Sequence, residues 1–226
     1  METNAVNIKN LEPWFTLAER RISFYLGAKK LVQRWRKLIE HNYKILQIEQ
    51  NENIFVQVTG INDGYQIFEK KIYLFEQQIS LHFNIGVLGQ LIRSEEVKRL
   101  PISLFSEYDV AGHYQFTKTD NAPNLISHNA PIIIILFDLG KSIGFVADGN
   151  HRITAKRYAK STNIEVVFTD CIAPAVSLTN NFERSIYSFI TMISLIGNKN
   201  VDDAIIKKYD NVLYNYCTKK NTTPSQ

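Results

Sequence analysis

The chain has 226 residues, of which 45% are hydrophobic and 21% charged, enough to bury a real core in one large or two small domains. No apolar stretch approaches the roughly 18 to 20 residues of a membrane span, and no secretory signal pattern opens the chain, which predicts a soluble, cytoplasmic protein without a membrane span. Only Cys171 and Cys217 are present, far apart and without metal-type spacing, so they suggest neither a disulfide framework nor a zinc site and read as buried free thiols.

The formal charge of +4 is concentrated: residues 14–41 carry Arg20, Arg21, Lys29, Lys30, Arg34, Arg36 and Lys37 against Glu19 and Glu40. In the same stretch Trp14, Leu17, Ala18, Tyr25, Ala28, Leu31, Val32, Trp35, Leu38 and Ile39 recur at three- and four-residue intervals. This predicts one long amphipathic helix from about Pro13. Aromatics among cations also suggest DNA contact through 14–41 or a membrane-surface helix, although their place on the apolar stripe favours a core or partner-facing role. From Tyr43 to Phe83 partial alternation and turn signals at 50–53 and 62–64 predict two β-hairpins or a small meander. Residues 85–98 read as a short helix, and Leu100–Phe105 as a short strand or extended segment.

Residues 109–130 are turn-rich, with little apolar periodicity, and read as a lid or binding loop containing His113 and His128. Exposed loop histidines are common, so neither is assigned a catalytic role. The run Ile132–Phe137 predicts a buried central strand. Ile143–Ala147 follows as a second strand after a hairpin turn, then a helix from Asn150 or His151 to Lys160, and a third strand over 164–168. Helices over 182–196 and 201–217 and a disordered tail over 218–226 complete the expectation.

The strand-to-helix turn Asp148-Gly149-Asn150-His151-Arg152 concentrates chemistry. At such a turn the first helical N–H groups lack intrahelical partners and the dipole is positive, which favours phosphate. Asp148 can cap the helix, Gly149 can take a positive φ or let a ligand approach, Asn150 adds an amide, and His151 and Arg152 add proton-transferring or cationic groups. The plainer alternative is an ordinary βα turn with a capping Asp, a turn Gly and a surface His-Arg pair. Thr154 can bond a ligand or back-bond within the first turn. Lys156 and Arg157 face either solvent or phosphate, and Lys141 reads as a turn residue.

The segment Phe145-Val146-Ala147-Asp148-Gly149-Asn150-His151-Arg152-Ile153-Thr154-Ala155, followed by a helix and the strand Glu165-Val166-Val167-Phe168, resembles the ParB/sulfiredoxin-like superfamily over roughly residues 97–172. Its signature is an apolar strand, Asp-Gly-x-His-Arg or a Gly-x-x-Arg variant, and a helix with a small residue three places on. The resemblance implies an α+β fold: a small mixed sheet with a phosphate-binding strand-turn-helix over 96–172. A basic helix and hairpins over 1–95 would precede this core, and a helical extension over 173–217 would follow it. It also implies a nucleotide ligand, ATP or CTP with Mg²⁺, and hydrolysis of the triphosphate or phosphoryl transfer. DNA binding or DNase activity is a further implication.

Cofactor-binding residues would be Asp148, Gly149, Asn150, His151, Arg152 and Thr154. His151 and Arg152 would be catalytic, Glu107 or Asp109 would serve as the acidic base, and Asp148 would be a metal ligand. Asn150 stands where sulfiredoxins carry their reactive Cys, so sulfinic acid reduction is not expected. The segment 173–217 offers only two amphipathic helices where ParB proteins carry a helix-turn-helix region, which argues against a segregation clamp. The alternative is a non-catalytic DNA- or protein-binding interference module, and a homodimer or a protein partner stays open.

Overall fold

In the computed structural model the described residues are 8–51, 66–74, 77–120, 123–127, 129–137 and 141–218. They form a mixed α+β protein whose contacts divide into two units, Met1–Phe83 with Leu178–Gln226, and Asn84–Ser177. No helix among the described residues is long and apolar enough to cross a membrane.

The first unit contains α1 (Glu12–Arg21), α2 (Ala28–Asn51), the two-stranded sheet of β1 (Ile67–Leu74) and β2 (Gln77–Asn84, whose last residue belongs to the second unit), α6 (Asn181–Gly197) and α7 (Asp203–Thr218). The single long helix expected from Pro13 is two helices, broken at Ile22–Gly27. Gly27 takes φ +96° immediately before α2, a left-handed conformation that ends the helical path. The strand reading of Tyr43, Ile45 and Ile48 is also corrected, because α2 runs through Asn51. Its buried positions Trp35, Leu38, Ile39 and Asn42 keep helical spacing, while Ile45 and Ile48 lie on the exposed side. The turn signals at 52–53 and 62–64 and the tail beyond Thr218 lie outside the described residues.

The second unit holds α3 (Ile85–Leu91), β3 (Val97–Pro101), β4 (Phe105–Ser106), β5 (Tyr114–Gln115), β6 (Ile132–Leu136), β7 (Gly144–Asp148), α4 (Asn150–Tyr158), β8 (Asn163–Phe168) and α5 (Ile172–Ser177). Its sheet runs β3-β8-β6-β7-β5-β4. β6 lies antiparallel to β7 and parallel to β8, so the chain passes from β7 through α4 before it returns beside β6. The central position of β6 follows from Ile132–Ile135, all buried, as a continuous apolar run requires. Phe105, Tyr114, Phe116, Ile132, Ile134, Val146, Ile153, Ile164 and Val166 form one core cluster.

The helix expected over 85–98 stops at Leu91, and β3 begins at Val97. Helix α5 was not anticipated. Asp170 Oδ1 accepts from the N–H groups of Ile172 (2.9 Å) and Ala173 (2.7 Å), and Pro174 sits in the first turn, where its missing N–H costs nothing.

Candidate functional site

The β6–β7 pairing shifts register between Ile133 and Ile134, so that Ile133 faces Asp148 while Ile134 faces Val146. This bulge lies at the end of β7, where the chain leaves the sheet for α4. Gly149 follows at φ +100° and ψ 15° and occupies the N-cap of α4. A Cβ there would stand 2.3 Å from Ile132 Cγ2 and 3.0 Å from Arg152 Nη2. Glycine is therefore required twice, by its dihedral and by the packed Ile132 side chain.

The first amide bond within α4 is from Ile153 N–H to Gly149 O, 3.0 Å. The N–H groups of Asn150, His151 and Arg152 precede it and have no intrahelical acceptor. Asp148 does not cap the helix by a side-chain bond. Instead its Oδ2 accepts from Arg152 Nη2 at 2.7 Å, and Arg152 Nη1 donates to Ala130 O at 2.5 Å and Pro131 O at 3.2 Å. Arg152 is only 8% exposed, so its guanidinium anchors the Ala130–Pro131 segment to the start of α4.

Asn150 and Thr154 hold a second segment. Asn150 Oδ1 accepts from Thr117 N–H (2.8 Å), and Thr154 Oγ1 accepts from Thr119 N–H (3.3 Å) while donating to Asn150 O (3.0 Å). Part of the loop read as a lid is thus laid along the first turn of α4. His151 is exposed at this rim, between two tethered segments and beside the uncapped amides.

Glu107 lines a cavity of about 200 Å³ together with Phe116, Lys118, Thr154, Arg157 and Tyr158. Arg157 is held there by donation to Phe105 O at 3.2 Å and by its position 5.3 Å over the Phe116 ring. A second cavity of about 220 Å³ is lined by Arg99, Asn129, Arg152, Lys156, Asn163 and Glu165 among others. Asp109 stands elsewhere. It is exposed, and its carboxylate accepts from Lys141 N–H (3.0 Å) and Ser142 N–H (2.7 Å). The Lys141 amide, then the Ser142 hydroxyl and amide, hold its pKa below the usual carboxylate value.

Among the described residues no group of three His, Cys, Asp or Glu side chains could hold a metal ion, and the Asp148 carboxylate is paired with Arg152. His113 Nδ1 bonds Ala111 O at 2.9 Å within its own loop, and His128 lies outside the described residues. Sequence reasoning missed the contributions of Thr117, Thr119, Phe116, Lys118 and Tyr158. Polar and aromatic residues in an aperiodic loop carry no pattern that announces their partners.

The two tryptophans of the basic segment pack inward. Trp35 is fully buried and donates to Asp210 Oδ1 at 2.8 Å, and Trp14 meets Phe189 edge-on at 5.0 Å. Arg34 pairs with Asp210, and Arg36 with Glu12 and Glu40. The chain matches no protein-family model, no curated protein and no solved structure, so the site is argued from its own geometry.

Proposed function

We propose that the chain is a nucleoside-triphosphate-binding protein with a ParB/sulfiredoxin-like core, acting as a triphosphate hydrolase or phosphotransferase on ATP or CTP. The observation that carries this reading is the left-handed Gly149 opening α4, with the N–H groups of Asn150, His151 and Arg152 unpaired within the helix and His151 exposed beside them. The phosphates rest on these amides, and His151 hydrogen-bonds a phosphate oxygen or moves a proton. Glu107, on the wall of the cavity that Thr154 also lines, accepts the proton of the attacking water or hydroxyl.

Arg152 takes a positioning role in this account, since its guanidinium already serves Asp148, Ala130 and Pro131. Its charge still lies behind the anion site and adds to the potential there. The described residues do not gather the carboxylates that a resident metal needs. Mg²⁺ would therefore accompany the nucleotide as its counter-ion. A cytoplasmic setting supplies such nucleotides.

The test is nucleotide binding and phosphate release with ATP, CTP and GTP, with and without Mg²⁺, on the wild type and His151→Ala. The reading expects one nucleotide to bind and turn over, with the variant weakened. Absence of binding by all three would overturn it.

A further inference from the structure

The turn between α1 and α2 exposes two large apolar side chains, Phe24 and Leu26. Leu26 is 96% exposed and Phe24 52%, whereas neighbouring Ile22 is fully buried and fixes the turn. Part of the turn's backbone is bonded from within: Ser23 N–H bonds Arg20 O (3.3 Å), Tyr25 N–H bonds Ile22 O (2.8 Å) and Ala28 N–H bonds Tyr25 O (3.0 Å).

Exposed cations flank these side chains along the chain, and one more stands over the Phe24 ring. Arg20 is exposed at the end of α1, Lys29 and Lys30 are exposed in the first turn of α2, and Lys199 Nζ stands 5.1 Å from the Phe24 ring centroid. The opposing carboxylates Asp203 and Asp210 act on the Tyr25 side of the turn, and Asp210 is paired with Arg34.

We propose that the Phe24–Leu26 turn docks on an anionic lipid surface, Phe24 and Leu26 entering the headgroup boundary while Arg20, Lys29, Lys30 and Lys199 meet the lipid phosphates. The charge complementarity selects an anionic partner, and the apolar pair selects one with an apolar layer beneath the charge. A side chain as exposed as Leu26 has no walls around it to form a peptide groove. Duplex DNA would have to unstack its bases to receive it. The proposal is independent of the nucleotide site, which belongs to the other unit.

The experiment is sedimentation of the full chain with vesicles of phosphatidylcholine alone and of phosphatidylcholine mixed with phosphatidylserine, at low and high salt, beside duplex DNA as a competitor. The wild type is expected to pellet with the mixed vesicles only and to be released by salt. Phe24→Ser with Leu26→Ser should lower partitioning about tenfold. Lys29→Gln and Lys30→Gln should each lower it about fivefold. All four positions are exposed, so circular dichroism should be unchanged. Absence of pelleting, equal pelleting with phosphatidylcholine alone, wild-type binding by the apolar double variant, or capture by DNA instead of vesicles would each overturn the proposal.

Discussion

At the scale of single residues, three positions in the strand-to-helix turn have different work, and mutation separates them. Gly149→Ala meets Ile132 Cγ2 at 2.3 Å and must hold φ near +100°, so it should cost roughly 2 kcal/mol or more in urea unfolding. Arg152→Ala leaves Asp148 and the Ala130 and Pro131 carbonyls without their donor. Because Asp148 keeps 28% side-chain exposure, the expected loss is about 2 to 3 kcal/mol, below that of a fully buried pair. His151→Ala should leave the unfolding midpoint unchanged and lower nucleotide affinity about tenfold. An unfolding series on the three variants gives the stability values and nucleotide titration of His151→Ala gives the affinity; a strongly destabilised His151→Ala would assign His151 to the fold instead.

At the scale of elements, the tie between β2 and the start of α6 is pH-sensitive. Glu183, buried in the first turn of α6, accepts from His82 N–H (2.6 Å) and from Asn180 Nδ2 (2.7 Å), and lies 2.8 Å from His82 Nδ1. The hydrogen bond to Glu183 raises the His82 pKa against the opposing effect of burial. A raised folded-state pKa means that His82 contributes its full stability below its unfolded value of 6.5. The contribution is lost as pH rises through the higher folded value. Thermal unfolding from pH 5 to 8 should show stability falling across that window, and His82→Ala should remove this component. The same scale shows what sequence could convey. β6, β7, α4 and β8 were legible because Ile132–Ile135 form an unbroken apolar run and Asp-Gly punctuates the turn. The break at Ile22–Gly27 was not, since Tyr25, Ala28, Leu31 and Val32 keep helical intervals across it. The chain leaves the helix at Ile22 and re-enters it after the left-handed Gly27. Helix α5 carried a readable signal in Asp170 followed by Pro174, but six residues are too few for periodicity to register.

At the scale of the whole molecule, the two thiols report different environments. Burial pushes the Cys217 thiol up to about 12, and it raises Cys171 as well, with Asp170 adding to the effect there. A thiol-specific reagent at pH 8 should leave Cys217 unmodified until the protein unfolds, with Cys171 reacting first; rapid native-state modification of Cys217→Ser-sensitive sites would contradict its burial beside Ser188. The motif Asp148–Arg152 was found from sequence as a cluster, but its internal division was not. Asp148 at the end of β7 and Arg152 in the first turn of α4 meet across the left-handed Gly149, whereas His151 lies exposed at the open rim. Asp109, placed by sequence as a candidate base, accepts instead from the Lys141 and Ser142 amides, a pairing across more than thirty residues that no local pattern encodes.

The measurement that bears most directly on the phosphate site is equilibrium binding and phosphate release with ATP and CTP on the wild type and His151→Ala, each confirmed folded. The account predicts saturable binding and turnover in the wild type, with both weakened in the variant. Wild-type protein that binds neither nucleotide, or a variant indistinguishable from it, would contradict the assignment of the α4 N-terminus as the nucleotide site.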